Sequence, residues 1–530
     1  MLRSSRLTTL LNLCGVRSMV RTTWMRLVFA ATVFCICGVP VARSQAKPAV
    51  SATSPSSAAS VGQWAAPVYF CPSQPCVVGA NAAVMYTGKV LFYYYPAAKQ
   101  LNSQAVVLDP VTGNVTNVAL PVSRDIFCSG LSILSNGTVM VTGGVVETGA
   151  SGHTHSSVQD NDGTTSTMLF DPGTSTWTVG SDMNYARWYP TSVELNNGTV
   201  LELSGSNETG TVIQTALESY SPTTGAWTVL PASANLPSNL LQTYPRMSLL
   251  PSGKVFLSSP AVQTYLFDPG TNAWSLVGAT NFGYRYFAPH VLLPGQEQVL
   301  VAGGSLTHAN GGGASTNTVE IIDLSATTPK WTYANPMTYA RYNENLVLLA
   351  DGTVLAVGGG GGWGEFTNPI LTPELYDPKT GLWTVMAPQT IQRTYHSTAV
   401  LLPDGRVVSS GSNNGAPTEI TYEMYSPPYL FKGTRPVIQT APTSLSYGGK
   451  FDIVTANAST ITRVALVHPG ATTHADDFDQ RYVDLAFTVT SGGIHATAPA
   501  TNTQAPPGYY MLVIVNSSGV PSVMPFLQLD

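Results

Sequence analysis

The sequence predicts an all-β chain: a seven-bladed β-propeller followed by a small β-sandwich of immunoglobulin type. Three observations predict it. The 48 glycines and 38 prolines, with few apolar periods of the helical kind, favour short strands joined by tight turns. A unit of about fifty residues recurs through most of the chain. The repeat then stops, and roughly a hundred residues of strand-like alternation remain.

Each repeat contains a turn that ends in glycine, then an apolar strand, and later a tryptophan in a motif of the form Asp-Pro-x-Thr-x-x-Trp. The tryptophans are spaced 50, 47, 57 and 52 residues apart: Trp177, Trp227, Trp274, Trp331 and Trp383. Seven turn glycines mark seven units, if a degenerate copy at Gly295 is included: Gly88, Gly137, Gly198, Gly253, Gly295, Gly352 and Gly405. This is the kelch signature, with one four-stranded blade per repeat.

The two ends of the chain differ from the repeat. Residues 1–46 combine scattered arginines, an apolar run from Leu27 to Val41 and small residues after it, which predicts a signal peptide and export. An uncleaved anchor is the alternative, but the run is shorter than the roughly 20 residues of a spanning helix. Residues 47–60 resemble an Ala/Ser/Pro linker, residues 61–432 the propeller and residues 433–530 the sandwich. No other stretch is long and apolar enough to span a membrane.

The charge pattern argues against a nucleic acid partner. Charged residues make up 10% of the chain, the net charge is −5, and no run of Lys or Arg occurs beyond the first thirty residues. We expect a monomer.

The cysteines fit an oxidising compartment. Cys71 and Cys76 are five residues apart and predict a local disulfide, whereas Cys128 has no partner outside the leader. A buried thiol that packs as a small apolar side chain is the simplest interpretation of Cys128.

The repeat also predicts which residues meet. Innermost strands run side by side around a propeller axis, so residues at equal offsets from the turn glycine should cluster. Cys128 and Tyr189 each lie nine residues before their turn glycine, and Tyr395 lies ten before its own. His396 follows Tyr395 directly. Its side chain points to the other face of the strand if pairing is regular, or is turned towards the Tyr395 side by a β-bulge.

Repeat packing is a competing explanation for these tyrosines. Comparable offsets are occupied by Tyr244, Tyr286 and Tyr342. An arginine also recurs just before a tyrosine at four places: Arg187, Arg285, Arg341 and Arg393. Arg285 and Tyr342 are candidates for a substrate pocket and fit the repeat equally well. Repeat packing does not require Cys128 or His396.

The chemistry of the candidate residues suits one Cu(II) ion per chain. Imidazoles such as those of His396 and His474 suit the tetragonal plane of Cu(II). Metal coordination removes the proton of a phenol, here Tyr189 or Tyr395, and a thioether on the ring would make its one-electron oxidation easier. A second oxidising equivalent could then be stored on the protein.

Several motifs carry a resemblance that spans about Val61 to Asp530. Arg124-Asp-Ile-Phe-Cys-Ser-Gly, Arg187-Trp-Tyr-Pro, Tyr395-His-Ser with Leu-Leu-Pro-Asp-Gly-Arg-Val, and Thr473-His with Asp479-Gln-Arg resemble the copper radical oxidases, the family of galactose oxidase and glyoxal oxidase. Pro507-Gly-Tyr-Tyr-Met-Leu to Gly519-Val-Pro-Ser-Val is similar to the family's C-terminal domain.

The resemblance implies a role for each candidate. Cys128 corresponds to the cysteine bonded to the ring of the equatorial tyrosine, Tyr189, whose radical is the protein-derived cofactor. Tyr395 corresponds to the axial tyrosine, and His396 and His474 to the imidazole ligands. The implied reaction oxidises a small aldehyde, as its hydrate, or a primary alcohol, and reduces dioxygen to hydrogen peroxide. A peroxide-using enzyme is a candidate partner.

Two departures from galactose oxidase are visible. Asn207 stands where galactose oxidase has a tryptophan over the cross-linked ring, and Trp188 is a candidate to shield that ring instead. Arg187-Trp-Tyr-Pro is closer to glyoxal oxidase, which favours small aldehydes as substrates.

Alternatives from the same and from other classes stay open. A sugar or primary alcohol oxidase of the galactose oxidase type uses the same chemistry. A non-catalytic kelch propeller that binds glycans or proteins uses only the fold. His153 and His155 form a His-x-His pair, which is either a second metal site or a pair of surface histidines.

Overall fold

The computed structural model describes residues 57–71, 77–94, 103–121, 125–145, 162–307, 313–362, 367–412 and 419–530. Helix is scarce in this part of the chain: α1 (Ala58–Val61), α2 (Ser238–Leu241) and three short 3-10 turns (Ala232–Ala234, Pro428–Phe431, Ala458–Thr460). The proposed signal peptide and Cys76 lie outside the described residues. No described helix has the length and hydropathy needed to cross a bilayer.

The regular structure of the described chain is almost entirely β-strand, nearly all of it paired antiparallel, as the composition predicted. In chain order the first strands are β1 (Gln63–Trp64), β2 (Val68–Tyr69), β3 (Asn81–Val84), β4 (Val90–Tyr94), β5 (Gln104–Leu108), β6 (Val115–Asn117), β7 (Gly130–Ile133), β8 (Val139–Thr142), β9 (Thr167–Asp171), β10 (Thr176–Val179), β11 (Trp188–Glu194), β12 (Val200–Ser206), β13 (Glu218–Ser221), β14 (Ala226–Val229), β15 (Arg246–Leu249), β16 (Val255–Ser259), β17 (Gln263–Asp268), β18 (Ala273–Ala279), β19 (His290–Leu292), β20 (Gln298–Ala302), β21 (Val319–Asp323), β22 (Trp331–Ala334), β23 (Tyr342–Leu348), β24 (Val354–Gly360), β25 (Glu374–Asp377), β26 (Leu382–Val385), β27 (Thr398–Leu401), β28 (Val407–Ser410) and β29 (Thr421–Ser426).

These strands form seven sheets within the described residues. Six are built on four consecutive strands each: β3–β6, which two later strands extend, β7–β10, β11–β14, β15–β18, β19–β22 and β23–β26. The seventh is β27–β29 with β1 and β2 on the far side of β29. The N-terminal strands therefore complete the last sheet, with Gln63 opposite Ser426 and Trp64 opposite Tyr425.

The turn between the first two strands of each sheet contains one of the seven turn glycines. Their φ angles lie between +76° and +96°, a region that is strained for residues with a β-carbon. The sequence prediction of seven glycine turns is therefore correct for the described residues.

Buried ion pairs explain the recurring arginines. Each of four sheets holds an arginine against a glutamate of its third strand, with side chains at most 1% exposed: Arg187–Glu218 (3.0 Å), Arg285–Glu320 (2.8 Å), Arg341–Glu374 (2.8 Å) and Arg393–Glu423 (3.3 Å). The Arg285 guanidinium also donates to the carbonyl oxygens of Gly303 and Thr318. Its hydrogen bonds are thus internal to one sheet.

The C-terminal part contains β30 (Ser444–Leu445), β31 (Lys450–Val454), β32 (Ile461–His468), β33 (Ala471–Thr473), β34 (Asp476–Asp477), β35 (Arg481–Asp484), β36 (Phe487–Thr490), β37 (Gly493–Thr497), β38 (Gly508–Asn516) and β39 (Phe526–Leu529). Two sheets, β30-β39-β38-β32-β35 and β31-β37-β36, enclose an apolar core that includes Ile453, Leu466 and Leu512.

One hairpin leaves this C-terminal part. β33 and β34 pair with each other, and β33 adds to β3, the first strand of the first repeat sheet, with Thr473 opposite Asn81 and Ala471 opposite Ala83. This pairing carries His474, which follows β33, to the strands that hold the other candidate residues.

Candidate metal centre

Six residues at the entrance to successive first strands share an unusual backbone conformation. Their φ angles lie between +46° and +64° although none is glycine, and we call them the rim residues: Cys128, Tyr189, Tyr244, Phe287, Asn343 and His396. All except Phe287 lie nine positions before a turn glycine. Backbone hydrogen bonds link several of them from sheet to sheet, from Tyr189 N–H to Cys128 O (3.0 Å) and from Tyr244 N–H to Tyr189 O (3.0 Å).

The rim corrects the expected alignment of the last repeat. The counterpart of Cys128 and Tyr189 is His396, with φ +62°, and not Tyr395. Because β27 begins only at Thr398, Tyr395 and His396 precede regular pairing, so strand alternation does not separate them. Their rings stack with centroids 3.8 Å apart. The two side chains therefore point the same way, as in the second of the two arrangements considered from the sequence, and not to opposite faces of a strand.

The structure brings the five candidate metal-site residues together. Sγ of Cys128 and a nitrogen of each of His396 and His474 all lie within 4.8 Å of one another. The phenol oxygens of Tyr189 and Tyr395 are in hydrogen-bond contact. The five side chains are more than nine-tenths buried. The structure thus forms one buried cluster that contains a thiol, two imidazoles and two phenols.

Hydroxyl groups orient both imidazoles. The Thr473 hydroxyl donates to Ala80 O (3.0 Å), so towards Nδ1 of His474, 2.7 Å away, it can only accept. Nδ1 of His474 therefore carries the proton, and Nε2, which lies 3.4 Å from Cys128 Sγ, has its lone pair available for a metal. Nδ1 of His396 is hydrogen-bonded to the Tyr94 hydroxyl at 2.9 Å.

Aromatic rings enclose the Tyr189 phenol. Trp188 stacks on it with centroids 3.7 Å apart and planes 11° apart, and Tyr244 stacks at 4.5 Å and 27°. Two rings cannot share one layer over a single phenol, so they cover opposite faces. Asn207 is occupied elsewhere, since its Oδ1 accepts from the backbone N–H groups of Thr211 and Val212. Of the two stacked rings, the Trp188 ring lies closer to Tyr189, and its role in shielding stays a prediction.

Burial opposes a charge on three residues of the metal-free centre: Cys128, Tyr189 and His474. It raises the pKa of the Cys128 thiol well above its ordinary value, against the effect of a hydrogen bond with Tyr189. Burial, followed by the charges of Cys128, Tyr395 and Tyr244, raises the pKa of Tyr189. Burial and the neighbouring His396 and Arg246 lower the pKa of His474. A bound cation would reverse this balance for the phenols.

The donor set fits copper. A neutral imidazole with its free nitrogen aimed at the cluster and phenols that would lose their protons to a cation are ligands that Cu(II) accepts. His396, His474, Tyr189 and Tyr395 could hold the ion, while Cys128 contacts Tyr189. A pocket beside the phenols is lined by Tyr189, Thr243, Tyr244, Arg246, Pro260, Tyr286, Phe287 and His474. It adjoins Tyr189 and His474 of the centre.

Comparison with known proteins decides the family. A family model described as glyoxal oxidase N-terminus matches residues 97–429, and one described as galactose oxidase-like, Early set domain, matches residues 435–529. The chain belongs to the copper radical oxidases. Galactose oxidase of Gibberella zeae is 30% identical over 448 residues, which cover 78% of this chain and 62% of that protein. The chain therefore spans less than two thirds of that relative's length.

Other relatives of this chain carry different names. Aldehyde oxidase GLOX of Vitis pseudoreticulata is 29% identical over 475 residues, which cover 81% of this chain and 86% of that protein. A solved structure described as a novel fungal alcohol oxidase of the AA5 family in complex with copper superposes with a TM-score of 0.77. It is 26% identical and covers 89% of this chain and 100% of its own.

Some features of the site were missed from the sequence, and some stay untested. Tyr244 has the same nine-residue offset as Tyr189, yet that signal suggested packing alone. Tyr94 and Arg246 gave no sequence signal. Cys76 lies outside the described residues, so its pairing with Cys71 stays a prediction. His153 and His155 also lie outside them.

Proposed function

We propose that this copper radical oxidase is an exported enzyme that oxidises small aldehydes, as hydrates, or primary alcohols, and reduces dioxygen to hydrogen peroxide. The observation that carries the proposal is the contact of Cys128 and Tyr189 beside His396, His474 and Tyr395. A binding module of the kelch type has no need of that combination, which favours catalysis over glycan or protein binding.

The seven repeat sheets form a closed ring in this proposal. The seven sheets are the blades of a kelch propeller, and the C-terminal sheets form an immunoglobulin-like sandwich that supplies His474. Contacts between the first strands of neighbouring sheets, such as β7 with β11, β11 with β15 and β23 with β27, support the ring. The chain acts as a monomer with a Cys71–Cys76 disulfide.

The protein-derived cofactor in this proposal is a covalent cross-link between Cys128 and Tyr189. The sulfur and the phenol ring each lose one hydrogen, a carbon–sulfur bond forms, and one dioxygen takes both hydrogens as hydrogen peroxide. Bound copper would supply one-electron redox chemistry and an open coordination position for a substrate hydroxyl. Trp188 and Tyr244 would exclude water from the oxidised Tyr189 ring.

The residues then divide the reaction between them. Tyr395, in contact with Tyr189, accepts the proton of the substrate hydroxyl, and the oxidised ring of Tyr189 takes the hydrogen atom from the substrate carbon. Bound copper would supply the acceptor for the one electron that remains. Dioxygen then takes two electrons and the two protons held by Tyr395 and Tyr189, which restores the oxidised ring. An aldehyde hydrate becomes a carboxylic acid and a primary alcohol becomes an aldehyde, with one hydrogen peroxide formed in each case.

A proteolytic digest of copper-loaded, aerated protein tests the cofactor. We expect a linked peptide containing Cys128 and Tyr189 that is lighter by two hydrogens than its separate parts. Cys128→Ser is the matched control and should bind copper without forming the link. Copper-bound wild-type protein without that peptide would refute the radical cofactor and leave an unmodified copper site.

Peroxide release across aldehydes, primary alcohols and galactosides separates the substrate classes. The pocket beside the phenols is lined largely by aromatic rings, so we expect small aldehydes to be oxidised faster than galactosides. A preference for galactosides would favour the galactose oxidase type of activity.

A further inference from the structure

The turn that carries His474 is built from two residues in an unfavourable conformation. Thr472 pairs with Asp477 and Thr473 with Asp476, which leaves His474 and Ala475 as a two-residue hairpin loop. Their φ angles are +48° and +64°. Loops of this kind usually contain Asn and Gly, because a β-carbon is crowded at positive φ. Such a turn persists only where neighbouring groups hold it.

Arg246, the first residue of β15, is the neighbour that holds this turn from outside the hairpin. Its Nη2 donates to His474 O at 3.1 Å, its Nη1 to Tyr244 O at 2.8 Å and its Nε to Ala288 O at 2.9 Å. The side chain is 4% exposed. One planar guanidinium thus ties the turn to a rim residue and to the segment before β19.

Asp476 provides a second attachment on the other side of the turn. Its Oδ2 lies 3.6 Å from Nη1 of Arg246, and its Oδ1 accepts a hydrogen bond from Nδ1 of His290 at 3.0 Å. Nε2 of His290 is in turn hydrogen-bonded to Ser248 at 2.8 Å. Both ends of the two-residue loop are therefore bound to β15 and β19.

We propose that Arg246, paired with Asp476, is a positioning residue that fixes the backbone of His474 and thereby presents Nε2 of His474 to the copper. The proposal rests on the proposed function. Thr473 orients the imidazole ring, and Arg246 fixes the backbone from which the ring projects. Arg246 lines the pocket beside the phenols, but each of its three side-chain nitrogens donates to a protein carbonyl, which favours a role in support of the site.

The test measures copper binding and ligand field, and not only turnover. Arg246→Lys keeps a charge for Asp476 and loses the fork of donors. Arg246→Met combined with Asp476→Asn removes both charges together, so no buried charge is left unpaired. We expect a copper dissociation constant raised about 10- to 100-fold, as for other residues that orient metal ligands. The nitrogen hyperfine pattern of Cu(II) should change as well.

A rescue variant separates positioning from general stability. Glycine accepts positive φ without strain, so Ala475→Gly in the Arg246→Lys background should recover part of the lost affinity. Arg285→Lys is the matched control, since Arg285 is equally buried and paired with Glu320 but bonds no residue of the centre. It should lower the unfolding midpoint and leave the copper spectrum unchanged.

The outcomes are distinct. Weaker copper binding in both Arg246 variants, with partial rescue by Ala475→Gly and none of these effects in Arg285→Lys, supports the inference. Wild-type affinity and spectrum in Arg246→Lys, or equal losses in Arg246→Lys and Arg285→Lys, overturn it while the proposed function stands. Wild-type protein that shows no Cu(II) with nitrogen ligands overturns both.

Discussion

At the scale of single residues, the Tyr189 phenol is the group whose surroundings matter most. One face meets Trp188 and the other Tyr244, and the Tyr244 hydroxyl donates to Ser129 O at 2.9 Å, which holds that ring in place. An unpaired electron on Tyr189 would thus be enclosed by protein on both faces. Trp188 makes the closer and more parallel contact.

Removal of the Trp188 ring should shorten the lifetime of the proposed Tyr189 radical. Aromatic stacking contributes about 0.5–1.5 kcal/mol, which corresponds to a roughly two- to tenfold faster decay in Trp188→Ala. Tyr244→Phe keeps the stack and should decay like the wild type, as should Trp227→Ala, whose indole lies on an outer strand. Decay of the radical's optical or paramagnetic signal is the measurement. Unchanged decay in Trp188→Ala would exclude a shielding role.

The sequence predicted part of this arrangement because equal offsets from a turn glycine mean equal positions in a repeat. That rule predicted that Cys128 lies beside Tyr189. It misassigned the last repeat by one residue, since His396 and not Tyr395 occupies the rim. Positive φ at a cysteine, tyrosine or histidine has no sequence signature comparable to glycine, so the rim conformation could not be predicted.

At the scale of elements, the β33–β34 hairpin joins the C-terminal part to the repeat. Pairing of β33 with β3 connects residues almost four hundred positions apart, Asn81 and Thr473. Turn glycines predict local hairpins and say nothing about such distant pairs, and the same holds for β1 and β2 beside β29. His474 was therefore identified from residue chemistry and resemblance, not from the repeat.

The hairpin register gives Thr473 a role that substitution can test. Thr473→Val removes the acceptor for Nδ1–H of His474, so the imidazole is no longer held in the tautomer with a free Nε2. We expect copper affinity to fall about 10- to 100-fold, measured by competition with a chelator.

Thr472→Val is the control on the same strand, because the Thr472 hydroxyl contacts Asn345 and not a ligand. It should bind copper like the wild type. Equal affinities of Thr473→Val and Thr472→Val would contradict the orienting role of the Thr473 hydroxyl.

At the scale of the whole molecule, the sheets bury acids away from water. Burial is the largest cause in each case and raises the pKa of Glu202 to about 7, of Glu344 to about 8 and of Asp479 to about 8. Histidines shift in the opposite direction, as burial lowers the pKa of His468 to about 3. In an unfolded chain carboxyls titrate near pH 4 and histidines near 6.5.

These shifts fix the sign of the pH dependence above pH 6.5. Histidines are then mostly neutral in both states, whereas the buried acids still hold protons that the unfolded chain has released. Unfolding therefore releases protons, and stability falls as pH rises through the folded pKa values. Below pH 6.5 the buried histidines oppose this fall in stability with pH, because they bind protons in the unfolded chain and stay neutral in the folded protein.

The free energy of unfolding of the metal-free protein should accordingly decrease between about pH 6.5 and pH 8.5, by up to about 1.4 kcal/mol per pH unit for each such acid. Urea unfolding measures it, without copper because metal binding adds its own pH dependence. Glu344→Gln removes one of the acids and should flatten the slope, whereas Glu208→Gln, on the surface, should not. The prediction fails if stability is constant or rises with pH, or if Glu344→Gln leaves the slope unchanged. Either result would mean that the buried acids are ionised in the folded protein. The buried arginines would then stabilise those charges more than burial opposes them.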